Sequence, residues 1–145
     1  MSDTLLLHLL AMQRAPWCAK MWMAANTAVG TNVVIPFDTV AYDPSGSLTI
    51  GAGAKYTVQV DGYYFVSAIF QETGAVNTYA QIRKSGINQA QSTFYNAAAG
   101  GQGYAAQDLF KCIAGDTLDL FLNIGVTIQS SIVSSAFVVT FLAPA

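Results

Sequence analysis

From Trp22 to the C-terminus, apolar residues recur in short runs rather than at helical spacing. The runs are rich in β-branched and aromatic residues and are spaced at roughly 8–12 positions, which is typical of a β-sandwich or barrel. No helical period lies between them, so an α/β sheet is not expected. Residues 97–103 are small and predict a loop. The predicted strands are 33–35, 48–50, 56–60, 63–70, 79–83, 109–113, 118–124 and 136–142.

Two of these strands indicate which residues face a core. In 118–124 the even positions are aliphatic, so Leu118, Leu120 and Leu122 are expected to point inward, with Asp119 and Phe121 outward. A large apolar group such as Phe121 on an outer face suggests a second packed surface.

The strand 63–70 is apolar on both faces, although an antiparallel strand with one face in water should alternate apolar and polar residues. In a single-domain chain the simplest cover for the second face is another subunit. The inner set is Tyr64, Val66, Ala68 and Phe70, and the outer set is Tyr63, Phe65, Ser67 and Ile69.

Several acidic residues lie in turn sequences. Asp61-Gly62 separates two apolar runs and predicts a hairpin between strands 56–60 and 63–70. Asp43 and Asp116 also neighbour turn residues, so capping of a turn is their expected role. Asp116 and Asp119 are the one pair of carboxylates that acid–base chemistry could use.

Composition favours an assembled protein of one domain. The chain has 145 residues, of which 53% are hydrophobic and 10% charged, whereas about 25% is typical of globular domains. Such a composition excludes disorder, and the depletion of charge predicts an obligate oligomer. The net charge is −2, and the six basic residues are scattered, which argues against nucleic-acid binding.

The N-terminus carries an apolar run over residues 5–12, and Pro16 and Trp17 mark its end. Its flank is acidic rather than basic, unlike a secretory signal. It is also shorter than the roughly 20 residues that span a bilayer. We expect residues 1–30 to be an N-terminal arm with a first strand, either helical or extended, and 31–145 to be the main domain. The anchoring residues of the arm are predicted to be Leu5, Leu6, Leu9, Leu10, Met12 and Trp17.

Little in the sequence predicts catalysis. His8 is the single histidine and lies in the arm, so a Ser-His-Asp triad is not expected. His8, Cys18 and Cys112 are too few for a metal site, and the two thiols are expected to be small buried hydrophobes, although pairing stays open. We therefore predict no enzyme, no cofactor and no metal.

Aromatic residues offer one alternative. Trp17, Trp22, Tyr95 and Tyr104 could stack on sugars, although packing in a core or an interface is the favoured interpretation.

Four segments together resemble a known family. Residues 55–65, KYTVQVDGYYF, resemble the Y-x-V-P-x-x-G-x-Y-x-F region of tumour necrosis factor-like jelly rolls, with Gln59 in place of proline. Residues 82–86, 110–120 and 134–144 resemble later motifs of the globular heads of complement component q subunits. The resemblance covers about residues 33–144 and implies an antiparallel, ten-stranded jelly-roll sandwich that forms a homotrimer. It places Tyr63, Phe65, Ile69 and Phe121 in the trimer interface.

The resemblance leaves two functions open. The first is a structural virion protein of a bacteriophage, a trimeric capsid decoration or cement protein whose arm binds the major capsid protein or another virion protein. The alternative is the tip of a phage head or tail fibre that binds a host-surface glycan or receptor, or a secreted, extracellular trimeric ligand. Neither function involves nucleic acid or a membrane.

Overall fold

The computed structural model describes residues 18–73, 80–91, 93–95, 102–123, 125–130 and 135–145, and these form fourteen strands and no helix. The strands are β1 (Cys18–Trp22), β2 (Thr27–Val29), β3 (Val33–Val34), β4 (Thr39–Tyr42), β5 (Leu48–Thr49), β6 (Lys55–Thr57), β7 (Gly62–Thr73), β8 (Ala80–Lys84), β9 (Ile87–Gln91), β10 (Thr93–Tyr95), β11 (Gln102–Cys112), β12 (Thr117–Leu122), β13 (Val126–Ile128) and β14 (Ala136–Ala143).

The strands form two sheets that pack face to face. The larger sheet has the order β10-β11-β7-β14-β1-β4, with β13 beside β2 and the end of β7. The smaller sheet has the order β5-β6-β12-β8-β9, with β3 beside β12. Every pairing is antiparallel. The predicted all-β jelly-roll sandwich is therefore confirmed.

The core lies between the sheets, where the predicted inward residues meet. Leu118, Leu120 and Leu122 are each at most 1% exposed, as the alternation of β12 predicts. Tyr64 of β7 is fully buried, and its ring lies 6.0 Å from that of Tyr56 between centroids. The side-chain period of two along a strand thus gave the correct face in both sheets.

Each predicted strand overlaps an observed one, but the prediction missed β2, β4, β9, β10 and β13. These strands have three to five residues, and β4 is half-buried or exposed throughout, so no clear alternation marks it. The predicted loop at 97–103 overlaps the start of β11 at Gln102 and Gly103, and the rest of it lies outside the described residues.

The predicted hairpin at Asp61-Gly62 is wrong. β6 pairs with β5 and β12 in the smaller sheet, whereas β7 belongs to the larger one, so the dipeptide crosses between sheets. The Asp61 carboxylate accepts a hydrogen bond from the Ala114 amide (2.8 Å), which ties the crossover to another turn. Gly62 lies against the end of β14, where a Cβ atom would clash with the Phe141 ring and come within 2.6 Å of the Ala143 carbonyl oxygen.

We therefore expect Gly62→Ala to destabilise the fold by about 1–3 kcal/mol, because backbone at Ala143 cannot move aside cheaply. Gly103→Ala is the matched control, since Gly103 is also in a strand of the larger sheet but a Cβ there meets nothing within 4 Å. Its effect should stay within about 0.5 kcal/mol. Urea unfolding of both variants measures the difference, and equal shifts would contradict the close approach at Gly62.

Candidate interaction surface

The outer face of the larger sheet, here called the β7 face, is built from alternate residues of four neighbouring strands. The strand registers place Phe65 between Thr140 and Leu109, and Ile69 between Ala136 and Ala105. Its members are Cys18, Lys20 and Trp22 of β1; Ala136, Val138 and Thr140 of β14; Tyr63, Phe65, Ser67 and Ile69 of β7; and Ala105, Gln107, Leu109 and Lys111 of β11.

Most members of this face are apolar, and three of the apolar side chains are exposed in the single chain. Tyr63 is 38%, Phe65 37% and Leu109 53% exposed. By contrast, the β7 residues that face the core are at most 2% exposed. The charged members are Lys20 and Lys111. Soluble monomers rarely carry apolar patches this continuous, and such patches commonly mark contacts with another protein.

The structure brings Tyr63, Phe65 and Ile69 together on this face but places Phe121 elsewhere. Phe121 belongs to β12 and faces outward from the smaller sheet. The Arg83 guanidinium covers its ring, 4.3 Å above the centroid, and also bonds both carboxylate oxygens of Asp119 (2.8 and 3.0 Å). Alternation correctly predicted that Phe121 points outward, but it cannot tell which of two sheets a strand joins. The Phe121 ring is therefore covered by the guanidinium of Arg83 from the same chain, in a cation–π contact.

The residues predicted to anchor the arm, Leu5, Leu6, Leu9, Leu10, Met12 and Trp17, lie outside the described residues. Their role stays a prediction, as does the division of the chain at residue 30. The first described residue, Cys18, begins β1, which is an interior strand of the larger sheet between β14 and β4.

The acidic residues in turns have the capping roles that the sequence predicts. Asp43 accepts hydrogen bonds from the Ser47 and Leu48 amides (3.0 and 2.8 Å). Asp116 accepts from the Ile113 amide at 3.0 Å and from the Ser85 hydroxyl at 2.9 Å. Since Asp119 is bound by Arg83, Asp116 and Asp119 are both engaged in structural contacts rather than forming a pair of free carboxylates.

Two of the aromatic candidates for sugar stacking are described. Tyr104 is 2% exposed and stacks on Phe70 with 4.5 Å between ring centroids, so it is a core residue. Trp22 is half-buried on the β7 face. Trp17 and the Tyr95 side chain lie outside what is described.

The described residues contain neither a metal-binding cluster nor a membrane-spanning helix. In the ranges from Cys18 onward that the structure describes, no three His, Cys, Asp or Glu side chains cluster as a metal site would require. Within the same ranges, no helix has the length and hydrophobicity to cross a bilayer.

The two thiols are not joined. Cys18 is half-buried on the β7 face, and Cys112 is 1% exposed between the sheets. Burial raises the pKa of the Cys112 thiol from 9.0 to about 11, with a smaller contribution from the Asp116 carboxylate that Lys84 partly offsets.

Comparison with solved structures places this geometry in a known fold. The globular domain of zebrafish complement 1qA aligns with a TM-score of 0.70 at 12% identity, over 88% of this chain and 97% of that one. Eiger TNF from S. frugiperda aligns with a TM-score of 0.71 at 13% identity, over 91% and 96%. Murine APRIL aligns with a TM-score of 0.68 at 11% identity, over 88% and 100%.

The protein therefore has the jelly-roll fold of tumour necrosis factor and complement globular domains, as the sequence motifs predicted. No protein-family profile matches the chain, and no curated protein matches it in sequence. At identities this low, the likeness defines the fold alone.

Stability should depend on pH through Cys112. In the unfolded chain the thiol ionises at its ordinary pKa near 9.0, whereas folding holds it neutral until about pH 11. Its contribution is therefore intact below pH 9 and is lost as pH rises to 11. Relative to Cys112→Ala, the wild-type free energy of unfolding should fall by about 2 kcal/mol over that window. Urea unfolding from pH 7 to pH 11 measures this, and parallel pH curves for the two proteins would contradict it.

Proposed function

We propose that this protein is a non-enzymatic homotrimer whose subunits bind one another through the β7 face. The observation that carries the proposal is the large apolar outer face of the larger sheet, with Phe65 at its centre. In an isolated chain this face would be exposed to water, whereas contact with a second copy of the chain would bury it. The family resemblance of the sequence implies assembly around a three-fold axis, with one sheet of each subunit toward that axis.

The outer face of the smaller sheet differs from the β7 face, and this contrast supports assigning the subunit interface to the β7 face. It carries the Arg83–Asp119 ion pair, and Phe121 there is covered by Arg83. The Lys84 ammonium of the same sheet lies 3.9 Å from the Asp116 carboxylate, so this sheet carries charged groups that are paired within the chain. Among the faces that the described strands form, the β7 face combines exposed apolar side chains with few charges, as the buried centre of a stable interface does.

Phe65→Asp should weaken or abolish the trimer, because the new carboxylates would be desolvated without partners. Phe121→Asp is the matched control: the same change on the smaller sheet should leave the trimer intact. Sedimentation equilibrium of both variants gives the oligomeric state. A Phe65→Asp protein that trimerises with wild-type affinity would place the interface elsewhere.

We further propose that the trimer is a capsid decoration or cement protein of a bacteriophage virion, held on the capsid surface by its N-terminal arm. The apolar residues 5–12 support this proposal, since seven of these eight residues are apolar, whereas a free, solvated tail is mostly polar. Three arms on one trimer also multiply a weak contact, provided that the receiving sites match their spacing. The expected partner is the major capsid protein or another virion protein.

Recognition of a glycan or receptor, by a fibre tip or by a secreted ligand, is the second candidate. It is favoured by two exposed isoleucines at neighbouring turns, Ile87 (64% exposed) and Ile113 (61%). The Ser85 amide donates to the Thr117 carbonyl (2.7 Å), which holds these turns side by side. Binding of the purified trimer to capsids, compared with glycan arrays and host cells, separates the two functions.

Deleting residues 1–13 should leave a folded, soluble trimer that no longer co-sediments with capsids. The physical reason is that the core and the β7 face lie in residues that the deletion retains. Circular dichroism and sedimentation equilibrium check the fold and the assembly. Truncated trimers that decorate capsids at wild-type occupancy would contradict anchoring by the arm, and loss of the trimer would assign the arm to subunit packing.

A further inference from the structure

One end of the sandwich, where β7 begins, carries exposed aliphatic side chains. The register pairs Gly62, the first residue of β7, with Cys112, so the turn after β11 lies at this end, and Ile113 there is 61% exposed. The last part of β14 pairs with the start of β7, and Leu142 there is 55% exposed. Ile87, at the turn beside Ile113, is 64% exposed. Among the large hydrophobic side chains of the described residues, these three, here called the apolar end, are the most exposed.

Hydrogen bonds hold the turns of the apolar end in place. The Gly115 amide donates to the Val58 carbonyl (2.9 Å), and the Val58 amide donates to the Asp116 carbonyl (2.8 Å). The Lys84 ammonium donates to the Lys111 carbonyl (3.1 Å) beside them. A surface that is fixed in this way loses little conformational freedom when an apolar segment packs on it.

The chain itself supplies an apolar segment close to this end. Residues 5–12 are apolar at seven of their eight positions, and residues 13–17 link them to Cys18. Cys18 pairs with Thr140 of β14, which pairs with Phe65, the fourth residue of β7. Cys18 therefore lies roughly 10 Å along the strands from the start of β7.

Covalent geometry lets this segment reach the apolar end. β14, which carries Leu142, is next to β1 in the larger sheet, and β11, which precedes Ile113, lies two strands further on. The distance from Cys18 to the turn after β11 is therefore about 17 Å, from the strand spacings across the sheet and the rise along it. The chain from Met12 to Cys18 can span about 20 Å when extended. Residues 5–12 can therefore pack across Leu142 and Ile113.

Contact between the two surfaces would protect the free protein. Two exposed apolar surfaces on one chain favour aggregation, and packing residues 5–12 on the apolar end removes both from water. The segment is tethered to the same domain, so its effective concentration at this surface is high even where the contact is weak. The β7 face is not available to it, because the proposed trimer buries that face between subunits.

We propose that residues 5–12 pack over the apolar end of their own domain while the protein is free in solution, in contact with Leu142 and Ile113. This inference goes beyond the proposed function and does not require it. Attachment to a capsid would transfer the segment from the apolar end to a virion protein. Until then, the same contact withholds the exposed isoleucine at position 113 from a receptor.

Methyl NMR of protein labelled at the isoleucine δ1 carbons tests the contact, with a soluble gadolinium chelate that broadens the signals of solvent-exposed methyl groups. Ile50 is the matched control, since it is 44% exposed and follows β5 at the opposite end of the sandwich. In the full chain the chelate should broaden the Ile50 signal and leave that of Ile113 sharp. Deletion of residues 1–13 should abolish this protection of Ile113 and leave Ile50 unchanged.

Leu9→Asp in the full chain gives a second test that keeps the segment, and it should expose Ile113 in the same way. Circular dichroism checks that both variants fold. An Ile113 signal that is broadened as strongly as that of Ile50 in the wild type overturns the contact. Protection that persists in both variants also overturns it and assigns the cover to another subunit. Binding to capsids is a separate measurement, so either proposal can fail while the other stands.

Discussion

Strand β7 carries large apolar side chains on both of its faces, and the rest of the molecule is arranged around that strand. It lies between β11 and β14, and β13 pairs with it at Glu72 and Thr73, beyond the end of the β14 pairing. Its inner residues, such as Tyr64 and Phe70, are at most 2% exposed because the smaller sheet covers them. Its outer residues are less covered within the described chain, since Tyr63 and Phe65 are more than a third exposed, so the strand that completes the core also carries the apolar face on which the proposed assembly rests.

The alternation of apolar and polar residues along each strand was enough to predict the core residues, but it did not predict which sheet each strand joins. Leu120 and Tyr64 were assigned correctly because burial repeats every second residue along a strand, which needs no knowledge of distant partners. The Asp61-Gly62 crossover and the location of Phe121 were not predictable in this way. Both depend on which sheet a strand joins, and that is set by long-range contacts such as Gly62 with the end of β14.

The scarcity of charge gives each acidic side chain a visible task. Asp43, Asp61 and Asp116 accept hydrogen bonds from backbone amides and so fix turns in which those donors would otherwise lack partners. Asp119 fixes Arg83 over the ring of Phe121. Groups held in this way are parts of the framework, so these four carboxylates act in structural contacts.

The two outer faces of the sandwich differ in chemical character. The smaller sheet carries an ion pair and a covered aromatic ring on its outer side, whereas the β7 face carries exposed apolar side chains. Cys18, the first described residue, lies on the β7 face, where it pairs with Thr140 of β14. In the proposed trimer, each subunit would contribute one N-terminal arm to the same particle. A weak apolar contact made by one arm would then be repeated by its neighbours on the same particle, and the trimer would attach more tightly than any single arm.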